Sequence, residues 1–124
     1  MLPAQHRLTR GEDFRRVSRR GRRGGGDLLV AHVLSDPAAA PDLPVRIGFV
    51  VGRSVGNSVQ RHLVQRRLRH LVRDRLSDLP PGGQLVVRAL APAAHATYQE
   101  LGIDLDRCLQ RALAPSRPGP GTVS

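Results

Sequence analysis

The chain has 124 residues, a formal net charge of +10, 40% hydrophobic and 2% aromatic side chains, and a single cysteine. That length suits one domain, with a core made of Leu, Val, Ile and Ala. The composition excludes a membrane span, which needs about 18 apolar residues in a row, and an internal disulfide or multi-cysteine zinc site. The start carries no apolar signal segment, so a cytoplasmic location is expected.

Thr9 and Glu12 have the spacing of a capping box and predict a helix through Arg20, stopped by Gly21. Phe14 and Val17 are its inward residues. The run RRGGG at 22–26 reads as a poor strand or a mobile loop. LLVAHVL at 28–34 is a strand, apolar on both faces except at His32. SDPAAAPDLP at 35–44 is a loop, and RIGFVV at 46–51 a second strand.

Asn57, with Gln60 three residues on, caps a long helix over 58–76. Val64, Leu68, Leu71 and Val72 form its core stripe. His62, Arg66, Arg69 and Arg73 form a second, cationic stripe. LVVRAL at 85–90 is a strand. Thr97 and Glu100 cap a last helix over 98–113, with Leu101, Leu105, Cys108, Leu109 and Ala112 inward. Residues 1–113 make a single domain, and the Pro/Gly-rich residues 114–124 are expected to be a disordered tail.

The order is α-β-β-(β)-α-β-α, counting a short strand near residue 23. That is an α/β (α+β) two-layer sandwich, a small mixed sheet with three helices.

All twenty cations are arginine, and sixteen of them fall in two blocks. Residues 1–23 carry eight Arg against Glu12 and Asp13, and residues 46–75 carry eight against Asp74. Between them, 24–45 hold three Asp and no cation. Paired basic blocks point to a polyanion. Nucleic acid fits better than a membrane surface, because the basic segments lack the Trp and Phe face of an interfacial helix.

No self-contained active site is legible. No carboxylate pair stands out for acid/base work, and no histidine pair has metal-ligand spacing. Asp104 and Asp106 read as solvated, and Cys108 as a core thiol. GRRGGGD lacks the GK[ST] of a phosphate-binding loop. The dense segment is VGNSVQRHLVQRRLRHLVR at 55–73, whose like charges repel one another until a polyanion screens them.

That segment resembles the VGNAVxRNRxKRxxR stretch of the bacterial ribonuclease P protein component family, through Val55, Gly56, Asn57, Val59, Arg61, Arg66 and Arg69. The start is similar to the family's LxxxxRLxxxxDFxxVfxxG through Leu2, Arg7, Leu8, Asp13, Phe14, Val17 and Gly21. RIGFVVGRSVGN and PAAHATYQEL resemble two further family stretches, so the likeness runs over about 2–113. His62, Leu63 and Gln65 depart from the family's Asn, Arg and Lys, and Ser18 stands where an aromatic is common.

The resemblance implies the protein subunit of a ribonucleoprotein endoribonuclease that removes the 5′ leader of precursor tRNA. It implies that the RNA subunit performs hydrolysis with Mg²⁺, held mainly by that RNA and the substrate, with no catalytic residue or metal ligand in the protein. It also implies a left-handed β-α-β crossover. The expected partners are the catalytic RNA and precursor tRNA, with no membrane and no protein partner required. Arg53, Asn57, Arg61, His62, Arg66, Arg67, Arg69 and Arg73 are the expected contacts to the catalytic RNA. Phe14, Arg15, His32 and Arg88 are those expected to line a leader cleft. A ribosomal-protein-like general RNA-binding module is the alternative.

Overall fold

The computed structural model describes residues 7–8, 10–36 and 38–114. The elements run α1 (Gly11–Arg20), β1 (Arg22–Gly25), β2 (Leu29–Leu34), β3 (Arg46–Val50), α2 (Ser58–Arg73), β4 (Gln84–Ala89) and α3 (Tyr98–Leu113). This is the expected order, with the short strand near residue 23 present as β1. The strands form one mixed sheet in the order β1-β2-β4-β3, antiparallel except for the parallel pair β3 and β4. Helix α2 connects that parallel pair.

Position in the sheet explains the strand sequences. β2 and β4 are central, so both of their faces are covered and both read as nearly continuous apolar runs. Leu29, Ala31, Val33, Leu85, Val87 and Ala89 face α2 and α3 in the main core. Residues alternate along a strand, so Val86 faces the other way, onto Leu8 and Val17 with Phe14, Leu34 and Val50 around them. Helix α1 thus lies across the opposite sheet face from α2 and α3. The edge strand β3 is bridged on its outer side by Arg7, and Leu8 N donates to Ile47 O at 2.9 Å.

The predicted core stripe of α2 is buried at Val64, Leu68, Leu71 and Val72. Burying each of these side chains contributes about 1.5–3 kcal/mol. The helix ends at Arg73, three residues short of the expected 76. Its apolar stripe is exhausted at Val72, and Arg75 Nη1 donates to the Leu71 carbonyl at 2.7 Å, satisfying one of the orphan acceptors of a helix end. At α1 the cap position is Arg10, which makes no side-chain cap bond; Thr9, the expected cap, lies outside the described residues. The expected tail lies outside them too, beyond Ala114.

The solvated reading of Asp104 is corrected. The residue is only 3% exposed, and its carboxylate accepts from the backbone N–H of Asp27, Leu28 and Leu29 at 2.9–3.1 Å. Spacing along α3 cannot show that the β1–β2 turn brings three donors to this side chain. Asp106 is half-exposed and paired with Arg75 at 2.5 Å. Cys108 is the core thiol expected, with Sγ donating to Leu29 O. Burial, reinforced by Asp104, pushes its pKa up to about 11, which keeps it protonated and unreactive.

Candidate nucleic-acid interface

The Val55-Gly56-Asn57 motif is a device for starting α2. Val55 is buried and anchors the loop. Gly56 adopts φ +148°, a conformation other residues rarely take, and a Cβ there would lie 2.0 Å from Gln60 Oε1. That space lets Gln60 Oε1 accept from Asn57 N while Asn57 Oδ1 accepts from Gln60 N, both at 2.9 Å. Asn57, expected as an RNA contact, therefore has its side-chain oxygen committed to the cap. The rigid start fixes the azimuth of every cation that follows on the helix.

Among the expected RNA contacts, Arg53, His62, Arg66 and Arg73 are exposed. Arg67 is half-buried, and its Nη1 donates to Ala96 O at 3.0 Å, tying α2 to the loop before α3. Arg61 is half-buried near Ser58, with its Nε buried and without a partner among the described residues. The expected set is thus brought to one helix and its leading loop, with Arg66 and Arg73 fully presented and Arg67 partly spent on the fold.

On the opposite sheet face a groove of about 310 Å³ is lined by Phe14, Arg15, Ser18, Arg19, Val50 and Arg88. Phe14 and Ser18, like Arg15 and Arg19, are one turn apart on α1, so one wall carries a line of Phe14 and Ser18 beside a line of two arginines. Arg88 and Val50 pair across β4 and β3 and form the floor. Three of the four expected leader contacts meet here. Phe14 also walls a second hollow of about 170 Å³ at the β3 edge, with Arg7, Leu8, Ile47, Gly48, Phe49, Gln65 and Arg69. Its ring lies over Gly48, where a Cβ would come within 2.3 Å of Phe14 Cζ.

The fourth expected contact, His32, lies apart from both hollows. It is 9% exposed, shares the sheet face of Arg88, and its Nδ1 has no partner among the described residues. Burial first, then the charges of Arg23 and Arg88, hold its pKa below the ordinary histidine value. The folded protein therefore keeps His32 neutral where the unfolded chain is already taking up a proton, near pH 6.5. The stability this provides is full above that pH and is lost as pH falls toward the lowered value. Accordingly, the drop in Tm between about pH 7.5 and 5.5 should be smaller for His32→Gln than for the natural chain. Equal drops in calorimetry would show that His32 is not the group responsible.

Sequence reasoning missed Val50, Arg7, Phe49 and Gln65 as wall residues, and it assigned Arg69 to the outer stripe alone. Arg19 was legible one turn from Arg15. No sequence signal could place Arg7 and Gln65 together, because the bridge to β3 and the azimuth of α2 create that hollow. Among the described residues no three His, Cys, Asp or Glu side chains assemble as a metal-holding set. The donor set among the described residues does not suit a protein-held Mg²⁺.

A short helix beside a sheet groove and an arginine-rich helix on the other face are accompanied by similarity along nearly the whole chain. The family model described as Ribonuclease P matches residues 2–113. A Nocardioides protein called ribonuclease P protein component is 55% identical over 112 residues, covering 90% of this chain and 94% of that one. Its counterpart in Streptomyces griseus is 53% identical, covering 91% and 96%. The Staphylococcus aureus RNase P protein structure superposes with a TM-score of 0.76 at 23% identity, over 87% of this chain and 95% of that one. The Thermotoga maritima RNase P protein in complex with 1-(4-fluorophenyl)-2-thiourea does so at 0.70 and 18%, over 88% and 99%. The general RNA-binding alternative explains the charge but not this ordered set of motifs. The chain belongs to the bacterial ribonuclease P protein component family, as the protein subunit that joins the ribonuclease P RNA in the endoribonuclease maturing tRNA 5′ ends.

Proposed function

We infer that the two cationic faces divide the labour of the ribonucleoprotein. The outward face of α2 and its leading loop, through Arg53, Arg61, His62, Arg66, Arg69 and Arg73, bind phosphates of the catalytic RNA. The groove on the other face takes the single-stranded 5′ leader of precursor tRNA. Phe14 offers a ring for base stacking, and Arg15, Arg19 and Arg88 offer cations for phosphates. Arg69, which walls the hollow shared with Phe14, lies where the two surfaces approach each other. His32 lies on the same sheet face as Arg88, buried and apart from the groove. Hydrolysis belongs to the RNA subunit, with Mg²⁺ held by that RNA and the substrate, in the cytoplasm.

The observation that carries this reading is the groove itself: one aromatic ring and three arginines line one concave surface, away from the arginines of α2. Phe14→Leu tests it, because leucine keeps apolar packing over Gly48 and removes the ring. Precursor tRNA with a leader of several nucleotides should bind the reconstituted holoenzyme about fivefold or more weakly, within the stacking range of about 1–3 kcal/mol per base. Mature tRNA should bind unchanged. A folded variant that loses both RNAs equally, or neither, removes the leader from this groove.

A further inference from the structure

The residues of α2 directed farthest from the sheet follow one another at spacings of four and three: Val59, Leu63, Arg66, His70 and Arg73. This outward line changes character along its length, apolar in its first two turns and basic afterwards. Val59 is 77% exposed and Leu63 38% exposed. Of the large apolar side chains exposed among the described residues, only these two stand one helical turn apart. They are the centre of a patch whose neighbours, His62 and Arg66, are exposed bases.

An apolar centre inside a basic border selects its partner by both properties. The border calls for a polyanion, while the centre calls for a face that gains by leaving water. RNA supplies both where a base is turned out of its stack, in a loop or bulge with its phosphates alongside. A regular duplex presents phosphates but no such face.

We propose that Val59 and Leu63 form an apolar seat for an unstacked nucleoside of the ribonuclease P RNA, held in register by the flanking cations. This rests on the reading that the outward face of α2 binds that RNA. The seat supplies the part of the affinity that salt does not remove, whereas the arginines supply the part that it does. The counterion term scales with the number of phosphates neutralised, and an apolar contact neutralises none.

The test is a salt series with the full chain and in vitro transcribed ribonuclease P RNA, comparing Val59→Gln/Leu63→Gln with Arg66→Ala/Arg73→Ala. The glutamine pair should bind about tenfold more weakly at every salt concentration, with the slope of log K against log salt unchanged. Val59→Leu should bind like the natural chain. The arginine pair should instead flatten the slope. Natural affinity in the glutamine pair, beside a flattened slope in the arginine pair, overturns the seat and leaves the RNA-binding face standing; an acidic protein partner is then the occupant to seek. No change in either pair overturns the face as well. A changed slope in the glutamine pair also overturns the seat, since it would then act by placing cations. Thermal unfolding accompanies each variant, and Val59→Gln alone, at the more exposed residue, repeats the measurement should the pair unfold.

Discussion

Asp104→Ala should cost about 3 kcal/mol or more of folding stability, because each buried donor left without an acceptor costs about 1–3 kcal/mol. The Asp104 carboxylate accepts three consecutive backbone N–H groups, from Asp27, Leu28 and Leu29, at the turn between β1 and β2. Arg111 adds a further tie by donating to the Gly25 carbonyl. Without Asp104 the buried Leu29 donor faces the apolar side of α3, where water has little access, and the partly buried donors of Asp27 and Leu28 lose their acceptor. A domain of this kind has about 5–15 kcal/mol of stability in all, so the loss is a large part of the whole. Asp104→Asn should fall between, since its amide oxygen replaces one acceptor while its NH₂ opposes the N–H groups. Urea unfolding measures all three proteins. A loss below about 1 kcal/mol for Asp104→Ala would show that the turn holds without its carboxylate.

For Arg66→Ala/Arg73→Ala, the expected result is a salt-dependent loss of affinity for the ribonuclease P RNA. Both side chains are exposed, both lie off the buried stripe, and neither makes a hydrogen bond or ion pair among the described residues. Each lost phosphate contact lowers the steepness of log K against log salt by about 0.7–0.9, so two lower it by about 1.4–1.8. The affinity difference should therefore be largest at low salt and shrink as salt rises. Tm should stay within about 1 kcal/mol equivalent of the natural chain, as for most surface changes. Arg69 is left intact because it walls the hollow containing Phe14 and its loss would mix the two surfaces. An unchanged slope would reduce the outward arginines to a solvated face.

Much of this molecule was legible one residue at a time, because its signals are local. A capping box is a matter of two side chains three residues apart, and of the three predicted those at Asn57–Gln60 and Thr97–Glu100 formed, while the Thr9 of the third lies outside the described residues and α1 is capped at Arg10. The buried stripe of α2 followed from helical period alone. The eight arginines within 46–75 already pointed to a polyanion partner. Family membership was legible for the same reason, since its motifs are short ordered runs.

What the chain could not declare along its length is which distant residues meet. Asp104 looked solvated because its donors lie about 75 residues away in sequence, at a turn that only the packing of α3 against the hairpin brings near. His32 looked like a groove residue because strand alternation gives the face of the sheet but not which element covers it; α1 does, and the ring is buried. The hollow formed by Arg7, Phe14, Gln65 and Arg69 joins two helices and a bridged edge strand that no periodicity relates. Local hydrogen bonding and side-chain period therefore determined the elements, the caps and the charge. Closure of the sheet decided the faces, the burial and the walls of the groove, because those depend on contacts between residues far apart in the chain.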